Sequence, residues 1–280
     1  MFEIGKYRRN TWPEIARYLL TLVIFLFFFL PILYTFLTAF KRPIDAFSIP
    51  PTLLFSPTWE NFIMVLRRAD FTKVYFNSVV ITSGSTLLSL LPGVLAAYAI
   101  SRYRFRAREG LATWVLATRM GPPVGILLPV FIFAKTAKLL DTLWVLIGLY
   151  CIFNLSFVVW IMRSFFDEIP VELDEAAQVD GASLFDIIRL VIFPLAAPGI
   201  VATAIFCVIT SWNEFLWAFM LTNRYAKTLP VMMNGFITEQ GILWGQLSAA
   251  SMLVVIPIFI FALTIQKHLV RGMTFGAIKS

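Results

Sequence analysis

The sequence predicts an all-α integral membrane protein of six transmembrane helices. Three observations lead there. Of its 280 residues, 59% are hydrophobic and 14% charged, with a mean hydropathy of +0.83. Soluble domains average about 45–50% apolar and about 25% charged. A chain of this size has no core large enough to hide the excess, so its solvent is lipid. Six apolar runs reach the roughly 20 residues that a helix rising ~1.5 Å per residue needs to cross a bilayer. The runs are continuously apolar, unlike the alternating strands of a membrane β-barrel.

The spans follow in order. Runs 18–40, 76–100, 142–162 and 247–266 contain no Asp, Glu, Lys or Arg, while run 111–134 holds Arg119 and run 198–222 holds Glu214. Prolines 31, 92, 122, 123, 129 and 257 fall inside these runs. Membrane helices tolerate them where neighbours re-satisfy the freed carbonyls, so each run is expected to cross as one helix. The first run is too long for a signal-peptide core and no small-residue cleavage site follows it, so it is expected to be retained. The segment 41–72, with Pro43, Pro50, Pro51 and Pro57, is expected to form a short outer cap.

Six spans place both termini on one side. With the termini inside, the inner segments hold thirteen Lys and Arg and the outer segments nine, and Arg102, Arg104, Arg106 and Arg108 crowd one short inner loop. Short loops rich in Lys and Arg stay cytoplasmic. The chain therefore divides into an inner tail (1–17), one membrane domain (18–270) and a second inner tail (271–280). The net charge of +7 matches membrane-flanking Lys and Arg rather than a nucleic-acid surface. Cys151 and Cys207 fall within spans as small apolar side chains. His268 has no ligand cluster around it, so no metal site is expected.

The loop 163–197 is longer than a connection between spans requires. Asp167, Glu168 and Glu172 favour a helix start by opposing its dipole. Pro170 suits its first turn, 171–180 has no breaker, and Gly181 can take the positive φ of a helix end. Ser183 and Asp186 then cap a second helix, 184–193, closed by Pro194 and Pro198. Leu173, Ala176 and Ala177 share one face. Asp174, Glu175 and Asp180 ring it with charge. The segment is either an amphipathic hairpin on the membrane or a docking helix. Its acidity favours docking, because an anionic inner leaflet attracts basic segments.

The residues Glu175-Ala176-Ala177, Asp180-Gly181-Ala182, Pro194 and Pro198-Gly199 resemble the EAA loop of permease subunits of bacterial ABC importers. Trp212-Asn213-Glu214-Phe215 with Leu221-Thr222, the segment Met120-Gly121-Pro122-Pro123 and the ending from Leu269 to Lys279 are similar to the maltose-type second permease of the carbohydrate importers. The resemblance covers nearly the whole chain and implies a type I ABC importer permease in the bacterial inner membrane. It implies a second permease, a dimer of cytoplasmic ATPase subunits and an extracytoplasmic sugar-binding protein as partners, with membrane lipid around them. On this reading Leu173, Asp174, Glu175, Ala176, Ala177, Asp180, Gly181, Ala182 and Ser183 dock on the ATPase, and Gly272, Gly276 and Lys279 in the tail touch it. The chain lacks G-x-x-x-x-G-K-[ST], so ATP and magnesium are expected on the partner, with no cofactor and no catalysis here.

Polar residues within spans are candidates for the pathway. Arg119 is expected either to pair with an acid such as Glu214 or to contact cargo. Trp212, Asn213 and Glu214 offer a ring, donors and acceptors for a sugar, or else helix packing. Asn154 is either a pathway residue or helix–helix glue. A secondary transporter would show repeats and midplane carboxylates; only Glu214 would qualify. A non-sugar ABC importer is the nearer alternative.

Overall fold

The computed structural model describes residues 11–68, 70–239 and 241–275. Its helices are α1 (Thr11–Ala39), α2 (Pro43–Ala46), α3 (Glu60–Arg67), α4 (Phe71–Arg102), α5 (Arg108–Met120), α6 (Pro123–Thr136), α7 (Leu143–Glu168), α8 (Glu172–Val179), α9 (Leu184–Asp186), α10 (Phe193–Trp212), α11 (Leu216–Leu221), α12 (Leu229–Met233) and α13 (Trp244–Phe275). Among the described residues, five helices are long and apolar enough to cross a membrane, and the pair α5 and α6 makes a sixth only as a bent span. The chain divides into two units, one drawn from Met1–Arg68 with Phe236–Leu253 and the other from Ala69–Gly235 with Val254–Ser280.

In the first unit, the hydropathic stretch of α1 is exposed along its length, as expected of a helix facing lipid or another subunit. The end of α1 is tied to α3 by Asn61, whose amide donates to the carbonyls of Ala39 at 2.9 Å and Lys41 at 2.7 Å. Lys41 is buried with its ammonium 4.7 Å from the Tyr34 ring centre and 5.4 Å from that of Phe55, an arrangement that offsets desolvation by cation–π attraction. A two-residue antiparallel pair, β1 (Ile237–Thr238) with β2 (Gly241–Ile242), precedes α13.

In the second unit, α4, α7 and α10 pack together. α4 carries buried Ser78, Thr82, Ser85 and Ser89 at three- and four-residue spacing. Small polar residues let helices approach closely and hydrogen-bond across the contact: Ser85 Oγ donates to Ser211 Oγ of α10 at 3.3 Å. Gly93 lies so close to α7 that a Cβ there would meet Val158 at 2.6 Å, and Gly199 of α10 would meet Phe165 at 2.5 Å. These glycines set the helix spacing.

Two expected spans are corrected. Run 111–134 does not cross as one helix: α5 and α6 bend by 91° at Gly121-Pro122. Gly121 has ψ 138° and Pro122 ψ 123°. Two consecutive prolines remove two amide donors, and each pushes its predecessor to extended backbone. The fifth span is shifted. Instead of 198–222, the crossing helix is Leu184–Trp212, and it stops at Asn213. The expected separate helix 184–193 is the start of this span. It enters through a π turn, Ile187–Ile192, just ahead of Pro194, whose missing amide leaves a carbonyl of that turn without its helical donor. The loop outside the spans therefore shrinks from 163–197 to about 169–183. Pro170 lies just before α8 rather than in its first turn.

Candidate functional site

Two places hold the functional candidates. The first is the short loop around α8. Gly181 adopts φ +84° as its closing residue, and Ser183 with Asp186 forms the reciprocal capping box, both as the sequence predicts. Leu173, Glu175, Ala176 and Asp180 are exposed, Ala182 and Ser183 border the next helix, and Ala177 turns partly inward against the cluster of Tyr98, Phe166 and Ile187. Asp174 departs from the docking ring. It is 4% exposed and points into the bundle. Its Oδ1 accepts a hydrogen bond from the Tyr98 hydroxyl at 2.6 Å, and its Oδ2 lies 2.9 Å from Arg102 Nε, a charge contact without hydrogen-bond alignment. A buried carboxylate requires such partners. The helical wheel could not show this, because Tyr98 and Arg102 lie over 70 residues upstream. Nearby, Arg163 of α7 makes a two-point pair with Glu109 of α5 at 2.7 and 3.0 Å, and Ser101 of α4 donates to Asp167.

The second place is a cavity of about 290 Å³ in the second unit, where the break between α5 and α6 meets the break between α10 and α11 and α7 passes. That volume lies at the lower end of the roughly 300–1,000 Å³ typical of small-molecule sites. Arg119, Asn154 and Glu214 line it; Trp212 and Asn213 do not.

The break after Trp212 positions Glu214. Its carboxylate accepts from the amides of Trp217 at 3.1 Å and Ala218 at 3.2 Å, starting α11, and from the Tyr150 hydroxyl at 2.8 Å. An anion is favoured at a helix start. Asn154 bridges α7 to α10, donating to Ser211 Oγ at 2.8 Å and accepting from Thr210 Oγ1 at 3.2 Å. It therefore acts as helix–helix glue and also faces the cavity.

For three of these residues the structure bears on the alternatives the sequence left open. Arg119 makes no ion pair with Glu214 among the described residues; its guanidinium sits 5.0 Å over the Phe157 ring. Glu214 has its charge engaged by main-chain donors instead. Trp212 is buried, donating Nε1–H to the Val254 carbonyl at 3.2 Å and meeting Tyr75 edge-on, so it packs and offers no stacking face. Asn213 is exposed and donates to the Ile209 carbonyl of its own helix at 2.8 Å. The sequence did not single out Tyr150, Phe153 or Ser211. Tyr150 and Asn154 are four apart on α7, a spacing that puts both on one face and could have found the pair. Gly272 lies within α13, while Gly276 and Lys279 lie outside the described residues.

A bundle with two broken helices meeting at a polar cavity and a short helix held beyond the spans describes a membrane permease. The chain belongs to the binding-protein-dependent transport system inner membrane component family, whose model matches residues 89–275. It is 36% identical over 244 residues to the trehalose/maltose transport system permease protein MalG of Thermococcus litoralis, covering 84% of this chain and 88% of that protein. It is 32% identical over 273 residues to the diacetylchitobiose uptake system permease protein DasC of Streptomyces coelicolor, covering 96% and 97%. A bacterial ABC transporter involved in importing the polysaccharide alginate has the same fold, with a TM-score of 0.76, 24% identity, and coverage of 94% of this chain and 99% of that one. The protein is thus a type I ABC importer permease, a transport component rather than an enzyme.

Proposed function

We propose that this chain is one of two permease subunits of an ATP-driven importer for a sugar, a disaccharide, an oligosaccharide or a polyol. It forms half of the pathway and docks on the ATPase dimer through α8. An extracytoplasmic binding protein delivers the cargo, and the termini lie on the cytoplasmic side. ATP and magnesium belong to the ATPase partner.

The observation that carries the docking role is the way α8 is held: its acidic, shallow outer face is exposed at Glu175 and Ala176 while its inner face is fixed to the spans at Asp174. The sugar class is supported by the names of the relatives, which include transporters of trehalose, maltose and diacetylchitobiose. The cavity suits hydroxylated cargo. Tyr150, Asn154, Ser211 and Glu214 alternate donors with acceptors, and Trp217 stands against Phe153 at 5.6 Å to supply an aromatic wall.

The test is reconstitution of the chain with its partner permease, ATPase and binding protein, followed by a sugar screen. ATPase stimulation and uptake with a loaded binding protein are expected, and Glu175→Lys should abolish uptake while leaving the chain in the membrane. Absence of stimulation with every sugar, or a Glu175→Lys complex that assembles and transports normally, overturns the reading.

A further inference from the structure

We propose that Arg102, Tyr98 and Asp174 form a strut that makes α8 one rigid body with α4 and α7, so that displacement of the loop moves α7, which walls one side of the cavity. The proposal rests on the docking role of α8 given above. Asp174 is the single buried residue of α8. The guanidinium facing it does more than balance its charge. Arg102 is the last residue of α4; its Nη1 donates to the Phe166 carbonyl in the last turn of α7 at 3.0 Å, and its Nη2 to the Ile169 carbonyl at 3.0 Å. One planar fork thus grips the end of α4, the end of α7, the turn that follows and α8. A planar guanidinium can satisfy these directions at once; an ammonium cannot.

The strut is not what shapes the loop. α8 has its own main-chain bonds, Gly181 makes the turn, and Ser183 with Asp186 caps the next helix. These survive without Asp174. What the strut fixes is the direction of α8 relative to two long helices. α4 has 32 residues, about 48 Å at ~1.5 Å per residue. α7 carries Tyr150 and Asn154 to the cavity. Twelve residues separate Asn154 from Phe166, roughly 18 Å of stiff helix. Arg102, Tyr98 and Asp174 are therefore positioning residues that touch neither cargo nor nucleotide.

The test compares the parental complex with Asp174→Asn, with Arg102→Lys, and with the apolar pair Arg102→Met/Asp174→Leu, which fills the site without charge. Assembly, ATPase stimulation and sugar moved per ATP are measured. Assembly and stimulated ATPase should stay at the parental level while sugar per ATP falls about ten-fold, within the range of coupling factors between linked sites. Arg102→Lys should fall between the two. Loss of assembly in proportion to transport in all three, or an unchanged ratio, overturns the strut.

A second readout does not depend on cargo. Spin labels at Gln178 on α8 and Leu95 on α4, in the full chain and in the complex, should give one narrow distance with and without trapped ATP, broadening in Asp174→Asn. A parental distance that changes between the two states overturns the strut. If no sugar stimulates the parental complex, the proposed function fails, and the label distances still decide the strut.

Discussion

Asp141 shows how much one side chain can organise. It sits at φ +57° between α6 and α7, and the amides of Asn223, Arg224, Tyr225 and Ala226 all donate to its carboxylate at 3.0–3.2 Å. Partial burial alone would raise its pKa, but the four amides together hold it below the usual carboxylate range. A carboxyl whose pKa is lowered on folding stabilises fully above its unfolded value of about 3.9, and that contribution is lost as pH falls through the lower folded value. Hydrogen exchange at residues 223–226 should therefore keep its protection from pH 8 to pH 5. Asp141→Asn, which tolerates the same backbone but loses the charge, should exchange about ten-fold faster at neutral pH, equivalent to ~1.4 kcal/mol. Equal protection in the two proteins would rule out the charge as the tether. Residues of this kind were not legible in the sequence. Asp141 reads there as an ordinary loop acid, because its four donors lie more than 80 residues away.

At the scale of elements, helix content followed composition closely, and helix continuity did not. Apolar length marked where chain lies in lipid, since burying apolar surface is non-directional. Breaks depend on local backbone chemistry that several segments compensate differently. Pro31, Pro92 and Pro257 sit within unbroken helices, whereas Pro122-Pro123 turns the chain by 91°. Each of the two prolines holds the residue before it extended, at Gly121 and at Pro122, so the helix cannot run through. Replacing both prolines with alanine restores the donors and removes the constraint on Gly121. The segment should then straighten, and the cavity should close toward water. In a background without Cys151 and Cys207, a Thr210→Cys probe should react with a water-soluble thiol reagent in the parent and about ten-fold more slowly in the double alanine variant, an effect of ~1.4 kcal/mol on opening. Unchanged reactivity would show that the break does not maintain access. Similarly, the capping box at Ser183 was readable because it spans four residues, while its continuation through a π turn into α10 was not. A π turn has no composition of its own.

For the whole molecule, Lys and Arg placement predicts an orientation that a reporter fusion tests. An alkaline phosphatase reporter fused after Lys138 should be active, and one fused after Asp180 inactive, if the loop of α8 is cytoplasmic. The reverse pattern would invert the topology and remove the docking role of α8. The positive-inside rule acts on short segments near span ends and counts Lys and Arg rather than net charge, so it predicts the same side for the four arginines from Arg102 to Arg108 and for the acidic loop.

One of those arginines also shows where reading a chain as a string stops. Arg102 counts in the sequence as a stop signal at the membrane face; folded, it is a buried fork joining α4, α7 and α8.

The sequence by itself determined that the protein lives in lipid, that its helices cross about six times, and that the segment ending at Gly181 is a capped helix outside the spans. Those properties depend on residue type and on neighbours within a few positions. Only the tertiary structure decided that Asp174 faces inward, that Trp212 packs instead of stacking, that Arg119 and Glu214 share a cavity without pairing, and that two expected spans are broken or shifted. Each depends on partners distant along the chain, or on how neighbouring helices satisfy a missing amide. Hydrogen bonds and contact ion pairs form at ~3 Å in space, whatever the separation in sequence.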